Sequence, residues 1–180
     1  DLDFSLKKNL SNLADSKNKK FESLRICILD RPRHKKIIDE AKSLNIDVKL
    51  ITDGDVSGAL LVTDKKYDID LFLGIGGGPE GVLAASALDA YGCGFQGRFI
   101  FDTDELKKRA NKMGIDHFDK KYKLDEIVKG DSLFCATGIT KGDLVNGLEL
   151  KDNKMVVNTL ITHKSQNITK IVTGEIDIRK

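Results

Sequence analysis

The sequence predicts an α/β fold: a layered α/β/α domain on a mixed, mostly parallel sheet, with an antiparallel C-terminal hairpin region. Three observations predict it. Short apolar, β-branched runs alternate with helical patterns through the first two thirds of the chain, the pattern of parallel strands joined by crossover helices. The last third changes to successive strand-like runs separated by short turns, as antiparallel pairing requires. Finally, 180 residues with no low-complexity tract, internal repeat or Pro-rich linker suit one domain over 1–180, large enough to bury about 70% of the unfolded chain's surface.

The elements follow in order. Ser5 to Ala14 carries Leu6, Leu10, Leu13 and Ala14 at helical spacing and predicts a short amphipathic helix. A polar loop, 15–20, leads to Leu24–Leu29, a buried strand by composition. Pro32 opens a helix that runs to Leu44, proline being favoured in a first turn. Val48–Ile51 and Asp70–Gly74 are the second and third strands. Pro79 to Tyr91, rich in alanine and stopped by Gly92, is a helix with a C-terminal glycine signal. Arg98–Phe101 is expected as a fourth strand, and Asp104–Met113 as a helix ended by Gly114. Ser132–Thr137 is a strand. Val145–Leu150 and Met155–Thr162 flank a turn at Lys151–Lys154 whose Asp152-Asn153 pair suits a hairpin. Ile168–Ile178 alternates as a final strand.

Composition narrows the function. Thirty Lys and Arg against 28 Asp and Glu leave a net charge of only +2, and a general nucleic-acid binder carries a clearer basic excess. The apolar runs fall short of the ~20 residues of a membrane span. Cys27, Cys93 and Cys135 are odd in number and far apart, which fits neither a disulfide framework nor a zinc spacing. They read as buried thiols in a reducing cytosol. The chain begins at Asp1, with neither a start methionine nor a leader, and is expected to be a piece of something longer.

Four segments sit where predicted strands end, the edge at which open α/β sheets bind ligands. Leu29-Asp-Arg-Pro-Arg-His34 puts two guanidinium forks beside a helix start, an arrangement suited to phosphate, though an ordinary charged loop reads the same way. Thr52-Asp-Gly-Asp-Val56 offers two carboxylates for sugar hydroxyls or a hard cation, or is a solvated Asp-Gly turn. Gly74-Ile-Gly-Gly-Gly-Pro-Glu-Gly81 lets backbone amides approach a ligand and places Glu80 in a helix's first turn. There it either caps the helix or holds a divalent cation beside a phosphate. Gly76, Gly78 and Gly81 loosely satisfy a dinucleotide spacing, with Asp102 after the next strand. Glu80, however, puts negative charge where the pyrophosphate would lie. Ala136-Thr-Gly-Ile-Thr-Lys-Gly142 reads as a structural turn. His117 and His163 stand isolated and are taken as surface or hairpin residues.

Taken together, Leu29–His34, Asp53–Val56, Gly74–Ala85 and Ala136–Thr140 resemble class II fructose-1,6-bisphosphatase, of the lithium-sensitive, metal-dependent phosphatase superfamily. The similarity covers essentially the whole chain but only about the C-terminal half of a family member. It loosens after Asn146, where the family's arginine-bearing hairpin is replaced by Thr159–Ser165 with Lys164. Gly78 also stands where the family often has alanine.

The resemblance implies that Arg31, Pro32 and Arg33 line a sugar-phosphate site, that Asp53, Gly54 and Asp55 contact the sugar, and that Gly77 approaches it through its backbone. Glu80 would bind a metal, Mg²⁺ or Mn²⁺. The implied reaction is hydrolysis of the 1-phosphate of fructose 1,6-bisphosphate, with sedoheptulose 1,7-bisphosphate accepted by some members. The family keeps its other metal carboxylates in an N-terminal half absent here, so this chain is expected to show little or no activity alone. The implied setting is a cytoplasmic homo-oligomer whose partners are the sugar bisphosphate and that missing half, with no nucleic acid and no membrane. Two other readings are a sugar-phosphate-binding module without hydrolysis and, behind it, a nicotinamide-dinucleotide domain.

Overall fold

A computed structural model describes residues 1–178. The chain opens with α1 (Leu6–Lys17), capped by the Ser5 hydroxyl, which accepts from the Lys8 amide, and closed by Asn18 in the left-handed region. β1 (Arg25–Leu29) follows, then a 3₁₀ turn at Pro32–His34, α2 (Lys35–Ser43) and β2 (Asp47–Ile51). Next come α3 (Asp55–Leu60), the two-residue β3 (Leu71–Phe72) and α4 (Gly78–Asp89). The middle of the chain holds β4 (Gln96–Arg98), α5 (Asp104–Lys112), β5 (Lys121–Lys123) and the short α6 (Leu124–Ile127). Four strands complete it: β6 (Leu133–Thr137), β7 (Glu149–Lys151), β8 (Lys154–His163) and β9 (Ile168–Asp177). No helix among the described residues is long and apolar enough to cross a membrane.

The α/β class holds, but the change from parallel to antiparallel pairing comes earlier than the sequence places it, at β4 and β5. The strands form three sheets, however, rather than one mixed sheet. β2-β1-β3 is parallel, β4-β5 is an antiparallel pair, and β6, β8, β7 and β9 make an antiparallel sheet centred on β8. Packing explains the division. One face of β1, with Ile26 and Ile28, is buried under Leu6, Leu10 and Ala14 of α1 and Ile38 and Ala41 of α2. On the other face Cys27 packs with Leu61 and Ile69. Helices α3 and α4 then bury Ala59, Leu60, Ala84, Ala87 and Leu88 against Phe134 and Leu160 of the antiparallel sheet. Because these two helices are covered on both sides, the last strands stack on them instead of extending the first sheet.

Three local differences have physical causes. Asp55–Leu60 is a helix that the Asp-Gly turn pattern concealed. Its Gly58 sits where a Cβ would lie 2.5 Å from Ile51 Cδ1 and 2.7 Å from Phe72 Cε2, so glycine here lets the helix lie directly on the strands. Arg98–Phe101 is not a fourth strand of the parallel sheet. Pairing stops at Arg98, and Phe99 and Phe101 turn aside to meet Tyr122 and Phe118 edge-on at ring separations of 5.8 and 5.2 Å. The cysteines do not share one environment. Cys27 is buried, and burial pushes its thiol up to about 11, whereas Cys93 is half-buried and Cys135 exposed. Cys135 alternates with buried Phe134 on β6, the pattern of a sheet packed on one face only.

A part-buried ion cluster fastens α1 to the parallel sheet. The Asp70 carboxylate, with its side chain 1% exposed, accepts from Lys17 at 2.7 Å, Lys19 at 2.9 Å and the Arg25 amide at 3.0 Å. Burial pushes its pKa up, but the hydrogen bonds from Lys17, the Arg25 N–H and Lys19 outweigh that and hold it below the ordinary carboxylate range.

Candidate functional site

The site grows from the carboxyl ends of the three parallel strands. β1 ends at Leu29, in register with Ile51 at the end of β2, while Cys27 pairs with Phe72 of β3. The loops that leave these ends carry the three segments singled out above, so residues up to 49 positions apart (Arg31 to Glu80) share one edge. This placement is what ligand binding at an open parallel sheet needs.

Each loop is tied to its neighbour. Arg31 Nη2 lies 3.5 Å from Asp53 Oδ1, linking the ends of β1 and β2. Asp53 is 93% exposed on its side chain, so the pair adds little stability and leaves both groups open to solvent and ligand. Pro32 starts the 3₁₀ turn that presents Arg33, whose Nε–H donates to the Ile75 carbonyl at 2.6 Å. Gly54 takes φ +87°, a conformation open to glycine at little cost. It turns the chain into α3, with Asp55 in the first turn. The Asp55 carboxylate lies close to the Gly76 backbone, with Oδ1 2.8 Å from where a Cβ on Gly76 would stand.

Gly77 is the N-cap of α4, with Pro79 and Glu80 in the first turn. A Cβ on Gly77 would stand 2.1 Å from Glu80 Oε2. The Glu80 carboxylate is therefore folded back over the loop, in space that only glycine leaves free. Arg31, Arg33, Asp53, Asp55, Gly77 and Glu80 thus lie on loops at one edge, with Arg31 beside Asp53. Such an edge can hold a phosphate by guanidinium and backbone N–H groups while carboxylates accept from hydroxyls.

A divalent cation needs more ligands than this edge supplies. Mg²⁺ and Mn²⁺ need several oxygen ligands, and no group of three or more candidate ligands is found among the described residues. Glu80 can supply one ligand, and this chain's described residues do not complete the set.

The sequence reading left out the residue that joins these loops. His34 is wholly buried; its Nδ1 lies 2.8 Å from the Leu29 carbonyl and its Nε2 2.8 Å from the Ile75 amide. The signal was its place in the Arg-Pro-Arg-His run, but with no alternating or helical pattern around it nothing marked it as internal. The Ala136–Gly142 segment leaves the end of β6, not the carboxyl end of a parallel strand. It begins a loop crossing itself at Gly138, where a Cβ would meet the Asn146 carbonyl at 2.1 Å. Asp143 in that loop is a strut to the parallel sheet, 3.3 Å from Lys49 and accepting from the Tyr67 hydroxyl at 2.9 Å through its backbone carbonyl.

His163 is not isolated. Its Nε2 and the Ser165 hydroxyl both reach Asp131 Oδ2, at 2.9 and 2.7 Å. They lower the Asp131 pKa, Ser165 first and His163 second. Beside it Lys164 pairs with Asp89 at 2.8 Å. Ser165 Oγ also lies 3.1 Å from His163 Nε2, so the three side chains form one hydrogen-bonded cluster that ties the β8–β9 turn to Asp131 ahead of β6.

The family described as bacterial fructose-1,6-bisphosphatase, glpX-encoded, matches residues 1–176. The fructose-1,6-bisphosphatase class 2 of Haemophilus influenzae (strain ATCC 51907 / DSM 11121 / KW20 / Rd) is 39% identical over 95% of this chain and 56% of its own length. The D-fructose 1,6-bisphosphatase class 2/sedoheptulose 1,7-bisphosphatase of Synechocystis sp. (strain ATCC 27184 / PCC 6803 / Kazusa) is 34% identical over 96% of this chain and 54% of its own. That of Gloeobacter violaceus (strain ATCC 29082 / PCC 7421) is 31% identical over 95% and 53%. The chain spans about half the length of the curated relatives it matches.

Proposed function

The chain belongs to the glpX-encoded bacterial fructose-1,6-bisphosphatase family, and from that premise we propose that it forms the sugar-phosphate-binding wall of a fructose-1,6-bisphosphatase. The substrate class is a ketose bisphosphate, fructose 1,6- or sedoheptulose 1,7-bisphosphate. The single observation that carries the reading is the convergence of Arg31, Arg33, Asp53, Asp55 and the Gly76–Glu80 loop at the ends of β1, β2 and β3.

Arg31 and Arg33 anchor the phosphate remote from the reacting bond. That binding energy holds the sugar in register while the other phosphate is hydrolysed. With its Nε–H committed to Ile75, Arg33 keeps its two terminal nitrogens for a bidentate grip on phosphate oxygens. Asp53 and Asp55 accept from sugar hydroxyls, and the backbone at Gly77 allows the sugar close. Glu80 is one ligand of a Mg²⁺ or Mn²⁺ centre whose other carboxylates lie outside this chain. A divalent cation held with the help of Glu80 would supply charge neutralisation at the phosphoryl oxygens and acidify a bound water.

We place 1–180 as one domain of a homo-oligomeric, cytoplasmic enzyme. Because Glu80 stands without a ligand set among the described residues, binding without hydrolysis is the second reading for the isolated chain.

Phosphate release from fructose 1,6-bisphosphate, assayed with Mg²⁺ and with Mn²⁺, tests this directly. The purified chain should release no more than its Arg33→Ala variant, while calorimetry detects binding of the bisphosphate. Metal-dependent turnover by the wild-type chain alone, abolished in the variant, would overturn the assignment of the other ligands to a separate part.

A further inference from the structure

We infer that His34 is a positioning residue, which locks the arginine-bearing turn and the glutamate-bearing loop into one unit. The inference rests on the sugar-phosphate reading for its purpose, but on geometry for its substance. The imidazole is wholly buried, so it meets neither solvent nor substrate. Nε2 lies 2.8 Å from the Ile75 nitrogen and 3.1 Å from its carbonyl oxygen. An amide N–H can only donate, so Nε2 must carry the lone pair. The ring proton is then on Nδ1, which donates to the Leu29 carbonyl at 2.8 Å. This single neutral tautomer bridges the end of β1 to the first turn of the glycine-rich loop.

Arg33 completes the clamp. Its Nε–H donates to the Ile75 carbonyl at 2.6 Å, so one residue is held on both sides, its N–H by His34 and its C=O by the neighbouring arginine. Ile75 stands two residues before Gly77, the N-cap of α4, and five before Glu80. The distance between the phosphate-binding guanidinium and the Glu80 carboxylate is thereby set by two adjacent side chains on one 3₁₀ turn. β3 is only two residues long, so the sheet itself does little to hold this loop. His34 supplies the restraint that the short strand does not.

Two replacements separate the two halves of the clamp. His34→Gln can place an acceptor at the former Nε2 position and keep the Ile75 bond. His34→Asn can place a donor at the former Nδ1 position and keep only the Leu29 bond. Amide hydrogen exchange of the 180-residue chain reads the restraint without any ligand. Ile75 should be protected in the wild type, about tenfold less protected in His34→Asn, as expected for one lost buried hydrogen bond, and within about threefold of wild type in His34→Gln.

Nitrogen-15 spectra of the wild-type imidazole should show Nδ1 protonated and Nε2 bare. Calorimetry with fructose 1,6-bisphosphate should follow the exchange order, with Asn weaker than Gln. A proton on Nε2, an unprotected Ile75 amide in the wild type, or exchange unchanged in His34→Asn would each overturn the inference. If exchange behaves as stated while the wild type fails to bind the bisphosphate, the clamp stands and the substrate reading falls.

Discussion

Replacing Arg33 with alanine should weaken binding of fructose 1,6-bisphosphate by about 30- to 150-fold. The magnitude comes from the geometry. Arg33 has five N–H donors and spends one on Ile75, which leaves both terminal nitrogens for the phosphate. Charge-assisted hydrogen bonds contribute about 1.5–3 kcal/mol each. Water replaces part of the lost interaction at this exposed position, so about 2–3 kcal/mol is expected for the pair. Arg33→Lys should recover less than half of that free energy, since an ammonium keeps the charge but cannot grip Ile75 and a phosphate together. Stability should change by about 1 kcal/mol at most, the cost of one partly exposed hydrogen bond. Isothermal titration of wild type, Arg33→Lys and Arg33→Ala with the bisphosphate, and with free fructose as control, gives all three values. Affinity for the bisphosphate within threefold of wild type in Arg33→Ala would refute the phosphate assignment. So would equal affinity of the wild type for free fructose.

Other consequences follow from single contacts. Gly77→Ala inserts a methyl where Glu80 Oε2 now lies; bisphosphate affinity should drop about tenfold with the melting temperature within about 3 °C of wild type, and an unchanged affinity would show that loop plays no part. Asp70 has its folded pKa held low by Lys17, Arg25 N–H and Lys19, so its stabilisation is complete above the unfolded value of about 4 and lost as pH falls through the folded value. Asp70→Asn should therefore cost about 1–2 kcal/mol near neutrality, and its gap from wild type in denaturant melts should close on acidification; a gap independent of pH would contradict the assigned ion cluster. Leu10, wholly buried between α1 and β1, should cost about 2–5 kcal/mol when cut to alanine, which urea unfolding would measure.

The parts of this molecule legible in its sequence are those where local chemistry and final packing agree. The buried run 24–29, the capped helices and the Asp152-Asn153 turn, both of whose residues take positive φ, are of this kind. So are the three segments at the ends of β1, β2 and β3, because glycine and proline there fix the local backbone. The rest depended on distant partners. The helix at Asp55–Leu60 was hidden because Gly58 answers to Ile51 and Phe72 rather than to helix propensity. Phe99 and Phe101 look like strand residues but answer to Phe118 and Tyr122. Nothing local shows that two helices will be covered on both sides and so divide the sheet. His34 was overlooked for the same reason. A buried histidine bridging positions 29 and 75 leaves no periodic trace, although it is what makes two visible motifs into one site.

On this reading the ends of β1, β2 and β3 bind a sugar bisphosphate. Titrating fructose 1,6-bisphosphate into ¹⁵N-labelled chain tests it residue by residue. Saturable amide shifts are expected, concentrated at Arg31–His34, Asp53–Asp55 and Ile75–Glu80, and moved together to about 30- to 150-fold higher ligand concentration by Arg33→Ala. Shifts confined to the cleft of about 430 Å³ lined by Ile139, Thr140, Lys141 and Asn146, or no saturable shifts at all, would contradict it.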